Sequence, residues 1–182
     1  MQYSTEQLPI EIFEVLKGYS KGNFMTRNAR FREAVCQSFN LRWISVGGTG
    51  NCLFESVRLG LLDAIQVVTT AADIRAHVVG FLRGCLNSEE PLCERCVVEM
   101  QDEVSEALVC SSYKRLNGVL INGFTPSTIV EYLDASAIEG VWPQGLHWLR
   151  AISFLHDVRI GVVIFNQPIV RYIGSGEKTI FL

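Results

Sequence analysis

One cysteine of this chain follows a glycine-rich turn and begins an apolar helical pattern. The stretch reads GGTGNCLFESV over residues 47–57, and apolar residues recur at helical spacing after Cys52. A helix N-terminus favours negative charge, which lowers the pKa of a thiol placed there, and only the thiolate attacks a carbonyl. The upstream glycines allow positive φ and a close approach of the backbone to a substrate. The pattern therefore fits a nucleophile, and it also fits a small core residue after a loop, since free cysteine is often buried.

The same turn has the parts that an acyl-transfer site needs around its nucleophile. Unpaired N–H groups at a helix start can face the oxyanion that forms when a thiolate adds to a carbonyl. The side chain of Asn51, next to Cys52, could add a donor. Such a nucleophile also needs a base, usually a histidine, which accepts the thiol proton and later protonates the leaving amine. The chain has three histidines, His77, His147 and His156.

The elements that would position Cys52 are mostly helices, followed by a sheet. Periodicity and capping residues predict helices over 5–18, 26–39, 51–65, 70–86, 91–108, 125–135 and 146–156. They predict strands over 41–46, 158–165, 169–174 and 178–182, of which VRIGVVIF (158–165) has the composition of a buried central strand. Trp43 and Trp148 are predicted to lie in the core. This order predicts an α/β or α+β layered domain.

Composition limits the classes of protein that the chain can belong to. Its 182 residues suit a single domain over 1–182, and 48% hydrophobic content supplies a core. The net charge of −3 argues against nucleic acid as a partner, and no apolar run is long enough to cross a membrane. The N-terminus has no secretory signal pattern, so we expect a cytoplasmic protein with free thiols.

Three stretches, in order along the chain, carry a resemblance to a known family. GNCLF at 50–54 resembles the Asp-Gly-Asn-Cys-Leu-Phe cysteine box of the ovarian-tumour (OTU) family of deubiquitinating cysteine proteases. ADIRAHVVGFL at 72–82 resembles the family's R-x-x-V-V helix. Residues 129–164 resemble its Y-L … W-G-G … V-x-I-x-V stretch, with Trp142 in the tryptophan position. The resemblance is strongest over 40–182 and leaves 1–39 as a helical N-terminal extension of the same domain.

The resemblance implies a papain-like OTU fold, a small central sheet with helices on both sides, and a thiol protease. Cys52 would form a thioester while cleaving peptide or isopeptide bonds after the C-terminal glycine of ubiquitin or a ubiquitin-like modifier. Backbone N–H groups of Cys52 and of Thr49, Gly50 and Asn51 would hold the oxyanion. Gly48 and Trp142 would border a narrow substrate groove. The resemblance implies no cofactor or metal, and we expect a monomer.

The chain departs from the family pattern at three places. Thr49 stands where the family usually has Asp, and Pro143 interrupts Trp-Gly-Gly. In the family, the histidine follows the central strand, and none of the three histidines here does. His147, after the GVWPQG turn, is the least unsuitable base. Three explanations stay open: a truncated chain whose histidine lies beyond Leu182, an inactive relative that binds ubiquitin, and a histidine supplied by another chain. A further interpretation of the sequence is a viral polyprotein protease of the same fold.

Four other cysteines have a spacing that could bind zinc. The pattern is C-x7-C-x2-C-x13-C, formed by Cys85, Cys93, Cys96 and Cys110. Four thiolates can hold tetrahedral zinc, although CxxC pairs in zinc sites usually lie in loops. The segment after Cys93 has a helical pattern, so a half-buried packing face explains the same spacing. The sequence leaves both interpretations open.

Overall fold

The described part of the chain has a mixed helix-and-sheet fold. A computed structural model describes residues 3–7, 24–47, 50–109, 126–138, 145–163 and 169–182. Its helices are α1 Phe24–Ser38, α2 Cys52–Ile65, α3 Ala71–Cys85, α4 Pro91–Val109, α5 Ile129–Ala137 and α6 Leu146–His156. Its strands are β1 Tyr3–Gln7, β2 Val158–Val163, β3 Ile169–Ile173 and β4 Lys178–Phe181. The α/β or α+β class predicted from the sequence is confirmed at this level.

The four strands form one sheet in the order β1-β3-β2-β4. β3 pairs antiparallel with both β1 and β2, whereas β2 and β4 are parallel. Ile160 of β2 lies opposite Ile173 on one side and Ile180 on the other. β2 therefore occupies the central position predicted for VRIGVVIF, and its continuous β-branched run is explained by neighbours on both edges.

Helices cover both faces of this sheet. Buried side chains of α2 to α6 pack with Val158, Ile160, Ile173 and Ile180 into the main core. On the opposite face, Phe31 and Val35 of α1 pack against Val170 and Tyr172. Alternating side chains of the strands thus serve two separate cores. None of the helices that the structure describes is long and apolar enough to cross a membrane.

Local signals correctly predicted most helix positions. Thr70 caps α3 through a capping box, since its hydroxyl accepts from the Asp73 N–H while the Asp73 side chain accepts from the Thr70 N–H. α4 begins at Pro91, where a missing N–H costs nothing. α5 begins after Thr128, whose side chain caps the helix, and so starts later than the predicted start at 125. The loop predicted over 111–125 lies outside the described residues, as do residues 140–144 of the GVWPQG turn.

Two predicted elements near the N-terminus are wrong. The helix predicted over 5–18 conflicts with β1, which holds Thr5–Gln7 in the sheet opposite β3; residues 8–18 lie outside the described part. The Tyr172 hydroxyl donates to the Glu6 carboxylate at 2.8 Å, a contact that fixes the strand from far along the chain. The strand predicted over 41–46 does not form, and Trp43 is 57% exposed rather than buried.

Candidate active site

A sharp turn brings the chain into α2 immediately before Cys52. Gly50 has φ +77°, a conformation that side-chain-bearing residues rarely adopt, so a glycine is needed there. Asn51 is the N-cap, and its carbonyl accepts from the Glu55 N–H at 2.9 Å. Cys52 is the first residue of the helix, as predicted. The thiol therefore lies among the N–H groups that have no partner within the helix.

Arg75 of α3 holds this turn in place. One end of its guanidinium donates to the Gly50 carbonyl at 3.1 Å and to Asn51 Oδ1 at 2.7 Å. The other end donates to the Ser136 carbonyl of α5 at 2.6 Å. The side chain is only 3% exposed. Since a guanidinium is planar and its donors are fixed, Arg75 sets the position of the turn relative to two helices.

The apolar face of α2 fixes the direction in which Cys52 is presented. Phe54, Val57 and Leu61 are fully buried, and the Phe54 ring packs edge-on against Trp148 with centroids 5.9 Å apart. Further along, a Cβ at Gly60 would lie 3.0 Å from Ile180 Cβ, so the helix lies directly on β4. Cys52 is therefore carried by a helix packed on both the sheet and α6.

The electrostatics of Cys52 differ from the simple expectation of a lowered pKa. Burial raises the pKa of the thiol above its ordinary value, and this effect is the largest. The backbone N–H groups of Leu53 and Cys52 and the charge of Arg75 act in the opposite direction without overcoming it. The helix start thus contributes as predicted, but desolvation outweighs it. The resting thiol is protonated at neutral pH and needs a base to react.

The three histidines are all described, and none affects the pKa of Cys52. His77 is exposed on α3. His147 is fully buried, with Nε2 2.9 Å from the Tyr132 hydroxyl, and burial lowers its pKa to about 3. His156 ends α6, and its pKa is lowered by burial and by the charge of His77. The described arrangement therefore gives Cys52 no histidine base.

The remaining predicted site residues divide into two groups. Gly50 and Asn51 lie beside Cys52, and because Asn51 Oδ1 faces Arg75, the NH2 end of that amide is turned away from the guanidinium. Gly48, Thr49 and Trp142 lie outside the described residues.

Sequence reasoning did not identify Arg75 as part of this site. A signal for it existed, since Arg75 lies on the buried stripe of α3 with Val78, Val79 and Leu82. A cation in a buried stripe needs partners, which here are the oxygen atoms of the Cys52 turn and of α5.

Three of the four cysteines of the possible zinc pattern lie together in the main core. Cys85, Cys93 and Cys96 are buried as free thiols, whereas Cys110 lies outside the described residues. Among the described side chains, no group of three or more histidine, cysteine or carboxylate residues has a geometry that could hold a metal. Burial of these three thiols agrees with the packing interpretation, and whether Cys110 joins them in a zinc site stays a prediction.

Comparison with known proteins adds no support to the resemblance to the OTU family, which depends on the residues of this chain alone. Neither a protein-family model nor a curated protein sequence matches the chain significantly.

Proposed function

We propose that the chain is an OTU-type cysteine protease domain that acts on the C-terminal glycine of ubiquitin or a ubiquitin-like protein. The observation that carries the proposal is the position of Cys52 at the first residue of α2, behind a positive-φ glycine and beside two backbone N–H groups. The helix-covered sheet is consistent with the papain-like OTU fold that the cysteine box implies. The guanidinium of Arg75 supports it by fixing the turn.

In this reaction the Cys52 thiolate attacks the carbonyl of the terminal glycine and forms a thioester. The tetrahedral intermediate carries its negative charge on the former carbonyl oxygen, and backbone N–H groups at the start of α2 stabilise that oxygen. A base removes the thiol proton and returns it to the departing amine. Because burial raises the pKa of Cys52, the rate depends on that base, and the described histidines do not supply it. Slow acylation of the 182-residue chain is expected.

The direct test uses ubiquitin whose C-terminus carries a thiol-reactive electrophile. We expect a covalent adduct on Cys52, identified by peptide mass spectrometry, and no adduct in the Cys52→Ala variant. Cys36→Ala is the matched control, because Cys36 is a partly buried thiol on α1 outside this turn, and it should be labelled as the wild type is. Failure of the electrophile to label Cys52 while iodoacetamide still does so would refute the proposal.

The second candidate is a domain that binds ubiquitin without cleaving it. It is favoured by one observation, the lack of any histidine among the groups that affect Cys52. This candidate predicts that unmodified ubiquitin binds equally well to the wild type and to Cys52→Ala in calorimetric titration, and that the electrophile gives no adduct. An adduct on Cys52 excludes it.

A further inference from the structure

The hairpin formed by α3 and α4 carries two thiols in direct contact. Cys85 is the last residue of α3, and Cys93 lies in the first turn of α4. Their Sγ atoms are 2.7 Å apart. Apolar atoms in ordinary contact stay at about 3.5–4.0 Å, so packing alone does not account for this approach. Neither thiol takes part in the chemistry proposed for Cys52.

The backbone on both sides of the pair is fixed. Five residues, 86–90, join the helices, and the Ser88 N–H donates to the Cys85 carbonyl at 3.3 Å. On the α4 side, the Glu94 N–H donates to the Glu90 carbonyl at 3.0 Å. A disulfide joins its sulfur atoms at about 2.05 Å. The two Sγ atoms therefore need to approach by less than about 1 Å to bond, which side-chain rotation can provide.

We propose that Cys85 and Cys93 are an oxidation site that forms an intramolecular disulfide with a low-molecular-weight disulfide such as oxidised glutathione. Cys93 is the entry point, because it is 7% exposed whereas Cys85 is 1% and Cys96 is 0% exposed. The third thiol, Cys96, lies one turn further along α4 and also interacts with Cys85, but it is fully buried from the oxidant and is expected to stay reduced.

The reaction is two successive thiol–disulfide exchanges. The Cys93 thiol loses its proton, and the thiolate attacks one sulfur of oxidised glutathione, forming a mixed disulfide and expelling one glutathione thiolate. Cys85 then loses its proton, attacks the Cys93 sulfur and expels the second glutathione thiolate. Each leaving thiolate takes up a proton. Two protein thiols are thereby oxidised by two electrons, and one oxidised glutathione becomes two reduced molecules.

Burial determines how this pair behaves. It raises the pKa of Cys85 above its ordinary range and that of Cys96 to about 12, so both thiols are almost entirely protonated at neutral pH. Oxidation is therefore slow. The finished disulfide is equally shielded from reducing thiols, so it persists after the oxidant is removed.

Trypsin provides a test that separates this disulfide from its alternatives. Cleavage after Arg83 and Arg95 releases residues 84–95, which contain both Cys85 and Cys93 but not Cys96. The folded chain is incubated with oxidised glutathione, blocked with iodoacetamide and digested without reductant. The expected product is peptide 84–95 lighter by two hydrogen atoms and carrying no alkyl group. Peptide 84–95 with two alkyl groups, or joined to the peptide that begins at Cys96, overturns the proposal.

Two variants and one melting measurement complete the test. Cys96→Ser is expected to leave the oxidised peptide 84–95 unchanged, whereas Cys93→Ser abolishes it. The oxidised wild type should melt about 5–10 °C above the reduced form, because the bridge closes a short loop in the unfolded chain. If Cys93→Ser does not fold, the peptide map and the melting shift of the oxidised wild type are sufficient to confirm or reject the disulfide. Loss of the disulfide in Cys96→Ser, or a lower melting temperature on oxidation, contradicts the assignment.

Discussion

Replacing Arg75 by methionine tests whether this one side chain holds the Cys52 turn. The substitution keeps most of the apolar stem but leaves the Gly50 carbonyl, Asn51 Oδ1 and the buried Ser136 carbonyl without their charged donor. A hydrogen bond to a charged group contributes about 1.5–3 kcal/mol. Water can reach the two oxygen atoms of the turn, which are only partly buried, so the three losses are not fully additive. We expect the free energy of unfolding to fall by about 3–5 kcal/mol.

Urea unfolding followed by circular dichroism measures this change, and the same helix offers a matched control. Arg83 also joins α3 to α5, through an ion pair with Asp134, but both side chains are about half exposed, at 50% and 58%. Exposed pairs contribute about 0–1 kcal/mol, so Arg83→Met should unfold almost as the wild type does. The difference between the two variants in the free energy of unfolding therefore measures the buried contacts of Arg75, because both variants remove one positive charge.

The second measurement is the alkylation rate of Cys52. The charge of Arg75 lowers the pKa of this thiol, so its removal should raise the pKa and slow the reaction with iodoacetamide at neutral pH. Peptide mass spectrometry reports Cys52 separately from the other cysteines. The reasoning is refuted if Arg75→Met loses less than about 1 kcal/mol and Cys52 reacts at the wild-type rate.

Four further substitutions test other parts of the fold. Thr70→Ala removes the hydroxyl that accepts from the backbone N–H three residues on at 3.0 Å, so urea unfolding should show a loss of about 1 kcal/mol. Gly60→Ala places a Cβ against Ile180 and should lower the free energy of unfolding by about 1 kcal/mol. Gly80→Ala on α3 meets open space and should raise the free energy of unfolding by about 0.5–1 kcal/mol. Equal effects of the two variants would contradict the close approach of α2 to β4. The pKa of His147 is about 3 in the folded chain and ordinarily 6.5, so the unfolded chain binds a proton that the folded chain does not. The free energy of unfolding therefore falls as pH drops from 6.5 towards 3, and His147→Gln should flatten that slope by about 1 kcal/mol per pH unit in urea titrations at pH 6.5 and 4.5.

Structural features that depend on a few adjacent residues could be predicted from the sequence. The cap at Thr70, the start of α4 at Pro91 and the placement of Cys52 at the start of α2 all depend on a few adjacent positions. The β-branched run of β2 likewise indicates burial on both faces. Each of these predictions is confirmed because local preference and tertiary packing agree.

Features that depend on distant partners could not be predicted. Residues 5–7 begin the segment predicted as a helix over 5–18, yet they join β3, because hydrogen bonds to a strand more than 160 residues away outweigh weak local preference. Conversely, residues 41–46 have a strand-like pattern but pair with none of the described strands. Trp43 instead lies against the guanidinium of Arg32, which is 4.7 Å from the centre of the Trp43 ring.

The pKa of Cys52 likewise depends partly on residues that are distant in the sequence. The favourable helix start can be read from the sequence, but the larger desolvation depends on what packs around the thiol. Likewise, the position of Arg75 on the apolar stripe indicates that it needs partners, but which atoms these are becomes visible only when α3 is placed beside the turn.

The sheet order has a consequence for the chain while it is being made. β1 leaves the ribosome first but has no partner until β3, Ile169–Ile173, has emerged, and α2 has no Ile180 to pack on until β4 follows. The nascent helices can associate with each other well before that point. Pairing between such distant segments is slow, so we expect the contact of α2 with β4 to form after its contacts with the other helices. A nascent chain halted before β4 therefore carries Cys52 on a helix that lacks its contact with Ile180.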